Sequence, residues 1–362
     1  MDCWRTNVPK VDWLMGNSIF EIAGRRIGRD HPPLILAEVG INHEGEFEKA
    51  IQLVDAAAKA GAELVKFQCH ITEKEMIPTD MKPGQISEER LWDIIKRCEL
   101  SADEEQRVQA YCAQKGVIYL STPFSREAAE RLHDMGVPAF KIGSGECNNL
   151  PLLEHIARFG KPVILSTGMN DLASVCRSAS ILEGRVPYAL MHCTSMYPTP
   201  YDKVRLGAVT QLQQAFPAVP IGLSDHSMGI WTCLGAVALG ACLLEKHFTI
   251  SRAWPGPDTG ISIEPHELAD LINGSRAIWE ARGGSKTILP EEQPVIDFAY
   301  ATVVSIAPIK AGEVLSLDNV WVKRPGTGPI QAGRLQDVLG KLAKRDLSPD
   351  AHISPADIEG FV

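Results

Sequence analysis

Two histidines, His226 and His247, each end a short apolar run of the kind that forms a buried parallel strand. The residues between the two runs are rich in Ala, Gly and Leu, which predicts a crossover helix from Trp231 to Gly240. Because parallel strands joined by a helix end at the same edge of a sheet, the two imidazoles are expected to converge beside Asp225. Paired imidazoles are candidate metal ligands, and a histidine that is only hydrogen-bonded is the structural alternative.

Polar side chains end the other apolar runs in the same way. Two lysines among hydroxyl groups suit a ligand with phosphate and carboxylate groups, because lysines supply charge and hydroxyls supply short donors. The alternative is that the lysine ammonium groups extend into solvent and that the serines are only small residues that save space. No phosphate-loop or dinucleotide glycine pattern occurs, so a nucleotide cofactor is not expected. These strand-end residues include Glu38, Lys66, Gln68, Thr122, Lys141, Ser144, Ser166, Ser224 and Glu245.

The elements that must position these residues form a regular series. Most of the apolar runs are followed by helical periodicity, and eight such units in one domain predict a (β/α)8 barrel of the α/β class. A doubly wound sheet is the alternative. In a barrel, the carboxyl ends of all strands form the face on which active sites lie. The runs cover residues 34–40, 63–69, 117–123, 139–145, 162–168, 188–194, 221–226 and 242–248.

The chain divides into four predicted segments. Residues 1–30 precede the series and contain a predicted hairpin over residues 18–28, which could close the bottom of the barrel. The barrel is expected over residues 31–284, and a polar, proline-bearing linker over residues 285–298. Residues 299–362 form a small module, which is expected to have little core of its own and to dock on another surface.

Composition narrows the class of protein. The 362 residues are 45% hydrophobic and 22% charged, as in an ordinary globular protein. A net charge of −9 without a long basic run argues against nucleic acid as a partner. The nine cysteines form no CxxC pair and indicate a reducing compartment without disulfides. No apolar run is long enough for a membrane span and no signal-peptide pattern occurs, so a cytoplasmic location is expected.

With these segments in place, the chain resembles the sialic acid synthases, and its last module resembles their antifreeze-like SAF domain, a β-clip fold. The resemblance runs from about residue 18 onward and keeps the motifs in the same order. The motifs that carry it include Ile41-Asn-His-Glu-Gly45, Lys66-Phe-Gln68, Ser121-Thr-Pro-Phe-Ser-Arg126, Lys141-Ile-Gly-Ser-Gly-Glu146, Leu165-Ser-Thr-Gly-Met169, Leu223-Ser-Asp-His226, Pro255-Gly-Pro-Asp258 and Val322-Lys-Arg-Pro-Gly326.

The resemblance implies a reaction and a set of site residues. Phosphoenolpyruvate condenses with an N-acyl hexosamine, typically N-acetylmannosamine, and water to give N-acetylneuraminate and phosphate. A divalent metal, Mn²⁺ with Mg²⁺ and Co²⁺ as alternatives, is implied at His226 and His247, and Glu38 and Asp258 are the carboxylates that move protons or steer water. The phosphoenolpyruvate positions are Lys66, Thr122, Lys141, Ser144, Ser166 and Ser224, and the sugar positions are Gln68, Glu146, Tyr197 and Arg324.

The resemblance also implies a homodimer in which Arg324 reaches the barrel of the neighbouring subunit. The exact sugar stays open, because family members differ at the position of Ser195. A legionaminate synthase and a synthase with a 9-phosphate product are the alternatives within the family. Outside it, the alternatives are a pyruvate lyase with a Schiff base on Lys66 or Lys141, and an ice- or glycan-binding protein without activity.

Overall fold

The computed structural model describes residues 20–84 and 87–361. Contacts along the chain divide it into two compact units, with the boundary between Gly283 and Gly284. Within the described residues, no helix is both long and apolar enough to cross a membrane. The eight cysteines of this part of the chain are free thiols.

The first unit is built on an eight-stranded sheet that follows a short hairpin. Its strands are β1 (Phe20–Ile22) and β2 (Arg25–Ile27) in the hairpin, and β3 (Leu34–Gly40), β4 (Leu64–Cys69), β5 (Ile118–Pro123), β6 (Phe140–Ile142), β7 (Val163–Ser166), β8 (Tyr188–Cys193), β9 (Ile221–Asp225) and β10 (Leu243–His247) in the sheet. The paired sheet strands are parallel. Their order is β5-β4-β3-β10-β9-β8-β7-β6, and the end strands β5 and β6 lie against each other. The predicted (β/α)8 barrel is confirmed, and the doubly wound alternative is wrong.

Helices connect the strands around the barrel. The predicted crossover helix is α10, which ends at Ala238 rather than Gly240. Helix α11 begins with a proline at its first position, and the carboxylate of Glu267 accepts from the backbone N–H of Glu264, so an otherwise unpaired donor is satisfied. The helices are α1 (Phe47–Lys59), α2 (Thr72–Glu75), α3 (Leu91–Cys98), α4 (Ala102–Gln114), α5 (Arg126–Asp134), α6 (Leu150–Ala157), α7 (Leu172–Leu182), α8 (Tyr201–Val204), α9 (Gly207–Ala215), α10 (Trp231–Ala238) and α11 (Pro265–Ala281).

Alternate residues of each barrel strand face opposite sides of the sheet, because successive side chains along a strand point in opposite directions. Ile35 and Val65 belong to the large apolar core between the sheet and the helices. Leu36 and Leu64 belong to a separate core inside the barrel. The side chain that follows an outward residue therefore points into the barrel, and this alternation decides which strand-end residues can share a site.

The hairpin packs against the bottom of the barrel. Phe20, Ile22 and Ile27 join the same apolar cluster as the inward residues Leu36 and Leu64, near the amino ends of the strands. Phe20 pairs with Ile27 across the antiparallel ladder. The hairpin expected over residues 18–28 thus corresponds to β1 and β2, and the part of the N-terminal extension before Phe20 lies outside the described residues.

Asp225 does not lie beside the two imidazoles, contrary to the prediction from sequence. Its carboxylate faces outward and lies 2.6 Å from Lys246 Nζ, and both side chains are almost fully buried. Thr232 Oγ1 at 2.7 Å and Ser227 Oγ at 2.8 Å also donate to this carboxylate. Burial acts to raise the pKa of Asp225, but Lys246 and the hydroxyl donors hold it below its ordinary value. The pair therefore ties β9, β10 and α10 together behind the site.

The second unit contains helices α12 (Gln293–Ala299) and α13 (Leu335–Val338) and strands β11 (Thr302–Ser305) and β12 (Val320–Lys323). The two strands are antiparallel, with Val303 opposite Val322. The unit has more core of its own than the sequence indicated, because eleven apolar side chains are buried together. These are Val303, Ile309, Leu315, Val320, Ile330, Leu335, Val338, Ala343, Leu347, Ile353 and Ile358.

The segment predicted as a linker over residues 285–298 is not free of regular structure. Helix α12 covers most of its second half, and Pro294 stands in the first turn, where proline costs no hydrogen bond. The helix buries none of its residues, and Val295 and Phe298 are exposed. The sequence failed to predict this helix because its prolines and acidic residues suit both a linker and a helix start.

We expect Asp225→Asn to lower the free energy of unfolding by about 3–5 kcal/mol, because it leaves the Lys246 ammonium buried without its counter-charge. Urea unfolding of the variant and the parent chain measures this difference. Asp270→Asn, at an exposed position of α11, is the control and should change stability by no more than about 0.5 kcal/mol. An equal unfolding midpoint for Asp225→Asn and the parent would contradict the importance of the pair.

Candidate active site

The two predicted anion-binding lysines point into the barrel from β4 and β6. Lys66 and Lys141 are 3% and 1% exposed, so each ammonium group must be satisfied by protein atoms. Lys66 Nζ donates to Thr122 Oγ1 at 3.0 Å. Lys141 Nζ donates to Ser166 Oγ at 2.7 Å. Each lysine thus lies beside a hydroxyl group that was also predicted to bind phosphoenolpyruvate.

Glu245, on strand β10, lies between the two lysines. Its carboxylate oxygens lie 3.7 Å from Lys66 Nζ and 3.5 Å from Lys141 Nζ. Ser224 Oγ donates to the same carboxylate at 2.7 Å. Burial acts to raise the pKa of Glu245, but Lys141, Lys66 and the Ser224 hydroxyl lower it to about 2. Glu245 is therefore an ionised bridge between the lysines.

The two lysines differ electrostatically. Burial acts to lower the pKa of Lys66, but the carboxylates of Glu245 and Glu38 outweigh it and raise the pKa above its ordinary value. For Lys141, burial is the largest influence and lowers the pKa despite Glu245, with the like charge of Lys66 acting in the same direction. Lys66 is the more firmly charged of the two.

Glu38 lies on the other side of Lys66, at the carboxyl end of β3. One carboxylate oxygen is 2.8 Å from Lys66 Nζ, and the other accepts from Gln68 Nε2 at 3.0 Å. Burial raises the pKa of Glu38, although Lys66 opposes this rise. A carboxyl group with a raised pKa accepts a proton more readily than an ordinary glutamate.

His226 and His247 meet over the same face of the barrel, with ring centroids 5.4 Å apart. His226 Nδ1 lies 2.9 Å from the carbonyl oxygen of Thr194, so that nitrogen donates and Nε2 keeps its lone pair. The buried Nδ1 of His247 has no hydrogen-bond partner among the described residues, and Asp258 Oδ2 lies 3.6 Å from it. Burial lowers the pKa of His247 to about 4, which keeps the ring neutral.

These observations fit an open metal site rather than a closed one. Neutral imidazoles with free lone pairs are good ligands for divalent metals. No group of three or more His, Cys, Asp or Glu residues in the described part of the chain is arranged to hold a metal ion. A metal held here would have His226 and His247 as its protein ligands, and its other coordination positions would be open to small molecules.

Tyr197 forms one wall beside the imidazoles. Its ring centroid lies 4.1 Å from that of His226 and 6.0 Å from that of His247. Ser144 lies across the pocket, where its Oγ accepts from the backbone N–H of Gly168 at 3.0 Å. A Cβ atom on Gly168 would come within 2.7 Å of the hydroxyls of Ser144 and Ser195, so only glycine allows the two serines to meet there.

Glu146 and Arg324 are the two remaining predicted sugar positions. Glu146 follows β6, is half-buried, and accepts from Asn149 Nδ2 at 2.5 Å. Burial raises the pKa of Glu146. Arg324 belongs to the second unit, where it follows β12 and is exposed. The first unit therefore brings together the lysines, hydroxyls, imidazoles, Tyr197 and the carboxylates of Glu38 and Asp258.

Sequence reasoning gave no role to two residues that the structure puts at the centre of the site. Glu245 was placed at a strand end, but the period of two would have marked it as inward, like His247 two residues later. Cys193 also points inward, with Sγ 3.8 Å from His226 Nδ1 and 3.9 Å from Ser195 Oγ. No pattern in the sequence distinguishes this cysteine from those of the apolar core.

The comparisons with known proteins agree with this site. The NeuB family pattern matches residues 53–287, and the SAF domain pattern matches residues 300–359. The chain is 38% identical over 328 residues to N,N'-diacetyllegionaminic acid synthase of Campylobacter jejuni, covering 88% of this chain and 97% of that protein. It is 34% identical over 330 residues to N-acetylneuraminate-9-phosphate synthase of Homo sapiens, covering 90% and 91% of the two chains.

A solved structure shows the same architecture. N-acetylneuraminic acid (sialic acid) synthetase from Leptospira borgpetersenii, crystallised in complex with citrate, superposes with a TM-score of 0.70 at 33% identity. The superposition covers 77% of this chain and 95% of that one. Fold, family patterns and relatives thus agree, and the chain belongs to the NeuB family of nonulosonic acid synthases, with a SAF domain at its carboxyl-terminal side.

Proposed function

We propose that the protein is an N-acetylneuraminate synthase, which condenses phosphoenolpyruvate with N-acetylmannosamine and water to give N-acetylneuraminate and phosphate. The main support is the combination, on one barrel face, of a buried two-lysine pocket and a pair of imidazoles. The lysines suit an anion with phosphate and carboxylate groups, and the imidazoles suit a metal that activates an aldehyde. Membership of the NeuB family supports the reaction class.

Phosphoenolpyruvate is held, in this proposal, between the two lysines. Because Glu38 and Glu245 already pair with the two ammonium groups, the incoming anion shares them with carboxylates rather than meeting bare charge. This favours a ligand with several anionic oxygens and good geometry over a simple monoanion. The hydroxyl groups that complete the pocket in the proposal are those of Thr122, Ser144, Ser166 and Ser224.

A divalent metal ion, Mn²⁺ with Mg²⁺ or Co²⁺ as alternatives, is proposed at His226 and His247. When bound there, it would polarise the aldehyde oxygen of the open-chain sugar as a Lewis acid. The protein orients the first ring through the carbonyl of Thr194 and keeps the second ring neutral by burial. Tyr197 packs against both rings and excludes water from one side.

The remaining chemistry requires proton transfer at two points. The methylene carbon of phosphoenolpyruvate attacks the aldehyde carbon, and the aldehyde oxygen takes up a proton. Water then adds to the former enol carbon and loses a proton, after which the C–O bond to phosphate breaks. Glu38 and Asp258 are the carboxylates proposed for these transfers, and the raised pKa of Glu38 suits it to a reversible role.

The sugar is proposed to contact Gln68, Glu146, Tyr197 and, from the second unit, Arg324. Two alternatives remain within the family: 2,4-diacetamido-2,4,6-trideoxymannose as substrate, which gives legionaminate, and a phosphorylated hexosamine, which gives a 9-phosphate. Ser195, whose hydroxyl lies 3.9 Å from Cys193 Sγ at the pocket wall, is the position proposed to tune this choice.

A substrate panel tests the proposed function. With phosphoenolpyruvate and N-acetylmannosamine, phosphate release and a product with the mass of N-acetylneuraminate are expected. A strong preference for the diacetamido sugar or for N-acetylmannosamine 6-phosphate would identify one of the alternatives. Borohydride trapping with pyruvate is the control for the lyase alternative, since Lys141 has a lowered pKa. Phosphate release with none of these sugars would contradict a synthase.

Removal of metal is expected to abolish turnover, because two protein ligands give a labile site. His226→Ala and His247→Ala should lose Mn²⁺ binding in calorimetry and retain a cooperative thermal transition. His192→Asn is the matched control, since His192 is a buried histidine that faces away from the site and bonds the Val204 carbonyl oxygen at 2.7 Å. Full turnover of chelator-treated enzyme in metal-free buffer would rule out the metal.

Arg324 is proposed to act in trans within a homodimer. An inactive Arg324→Ala chain mixed with an inactive His226→Ala chain should regain activity after subunit exchange. Since about half of the dimers would be mixed and each would carry one working site, activity should reach about a quarter of the parent value. Mixtures that demonstrably exchange subunits and stay inactive would show that Arg324 serves its own barrel or no site.

A further inference from the structure

A continuous chain of one ion pair and three hydrogen bonds leads from the lysine pocket to two residues that the proposed mechanism does not use. Lys66 Nζ lies 2.8 Å from one oxygen of Glu38, and Gln68 Nε2 lies 3.0 Å from the other. The amide oxygen of Gln68 lies 3.0 Å from His70 Nε2. His70 Nδ1 lies 3.0 Å from both carboxylate oxygens of Glu75. Five side chains are thus linked end to end.

The first end of the chain determines which atoms donate. The Lys66 ammonium can only donate, so Glu38 accepts from it as a carboxylate. The other oxygen of Glu38 accepts as well, which requires the amide N–H of Gln68 to point at it. The amide oxygen of Gln68 therefore points at His70, and because that oxygen can only accept, His70 Nε2 must carry a hydrogen.

The second end holds the ring in place. His70 Nδ1 lies 3.0 Å from both carboxylate oxygens of Glu75, and Phe124 stacks on the imidazole at 4.5 Å between centroids. The side chains of His70 and Glu75 are at most 5% exposed. A ring with no hydrogen on Nε2 would set a lone pair against the Gln68 oxygen, and a flip of the amide would set that oxygen against Glu38.

The other titratable groups near His70 do not take the place of Glu75 as its partner. From the loop after β3, His43 stays neutral, since burial and the charge of His70 lower its pKa to about 4. From α4, Glu105 influences His70 electrostatically but is paired with an arginine of α5 at 3.0 Å. Glu146, after β6, influences Glu75 and bonds an asparagine. Glu75 is therefore the carboxylate in contact with His70 among the described residues.

We propose that His70, held by Glu75, is a positioning residue of this active site, whose Nε2–H directs the Gln68 amide hydrogens toward Glu38 and the sugar. The inference rests on the proposed function, which assigns Gln68 to the sugar and Glu38 to proton transfer. A donor aimed at Glu38 favours its ionised form, and a misdirected amide oxygen would disfavour it. Neither His70 nor Glu75 needs to touch substrate for this effect.

His70→Leu is the sharpest test, because it fills much of the space of the ring and removes the donor that holds the amide oxygen of Gln68. The amide can then turn its oxygen toward Glu38. We expect kcat/KM for the hexosamine to fall about 10- to 100-fold, as for loss of other orienting partners.

Controls separate positioning from general damage. The affinity for phosphoenolpyruvate, measured by calorimetry, should stay unchanged in His70→Leu, since the lysine pocket keeps its contacts. His155→Leu removes a second imidazole that lies beside a carboxylate, with Glu130 at 3.4 Å in the outer helices, and should leave kcat/KM for the hexosamine unchanged. His70→Gln retains a donor near the Nε2 position and should be more active than His70→Leu.

The outcomes distinguish this inference from the function on which it rests. A parent enzyme that converts no hexosamine would reject the proposed function before any variant is compared. With an active parent, an unchanged kcat/KM for His70→Leu, or equal activity of His70→Gln and His70→Leu, would overturn the positioning role. If His70→Leu shows no cooperative thermal transition, the comparison of His70→Gln with the shorter His70→Asn carries the test, and equal activity of the two would overturn it.

Discussion

Four charges buried inside the barrel, on Glu38, Lys66, Lys141 and Glu245, constrain the rest of the active site. Each is at most 6% exposed, so none can rely on water. Isolated ions in such an interior are costly, and a buried charge persists only when oppositely charged and hydrogen-bonding groups surround it. The alternation of two carboxylates with two ammonium groups meets this requirement before any ligand arrives. Active-site electrostatics of this kind are set when the chain folds, and little reorganisation remains for the reaction.

The barrel makes this arrangement feasible by separating two networks on the same pair of strands. On β9 and β10, Asp225 and Lys246 face the helices and form a dry ion pair behind the site. Their neighbours His226, Glu245 and His247 face the interior. Because the period of a strand is two, a shift of register by one residue would exchange the two sets. The outward pair therefore stabilises the register that brings the imidazoles together.

The hydrogen bonds beyond Glu38 continue from the barrel interior toward the helices. Glu75 stands at the end of the short helix α2, whose first residue Thr72 donates backbone N–H and hydroxyl to Glu99. That anchor holds Glu75 against His70, and His70 in turn against Gln68. A short helix outside the barrel can thus influence the orientation of an amide inside it, without any contact between that helix and a substrate.

The amino-acid sequence by itself determined the class of fold and the identity of most site residues. Apolar runs ending in polar groups are a local property, and parallel strands joined by helices can place those ends only on one face. The sequence therefore predicted that Lys66, Lys141, His226 and His247 would share a site. It also carried enough family motifs to indicate the reaction class.

Only the tertiary structure decided how those residues pair. Asp225 and Glu245 are both acidic residues at strand ends. Asp225 faces the helices and pairs with Lys246, whereas Glu245 faces the barrel interior and lies between Lys66 and Lys141. Which face a side chain takes depends on register against neighbouring strands, and that is set by packing of the whole barrel rather than by adjacent residues. Hydrogen bonds connect Glu75 to Gln68 through His70, although the two residues are seven positions apart in the sequence. Which atoms donate in these bonds depends on groups that meet only in the folded chain.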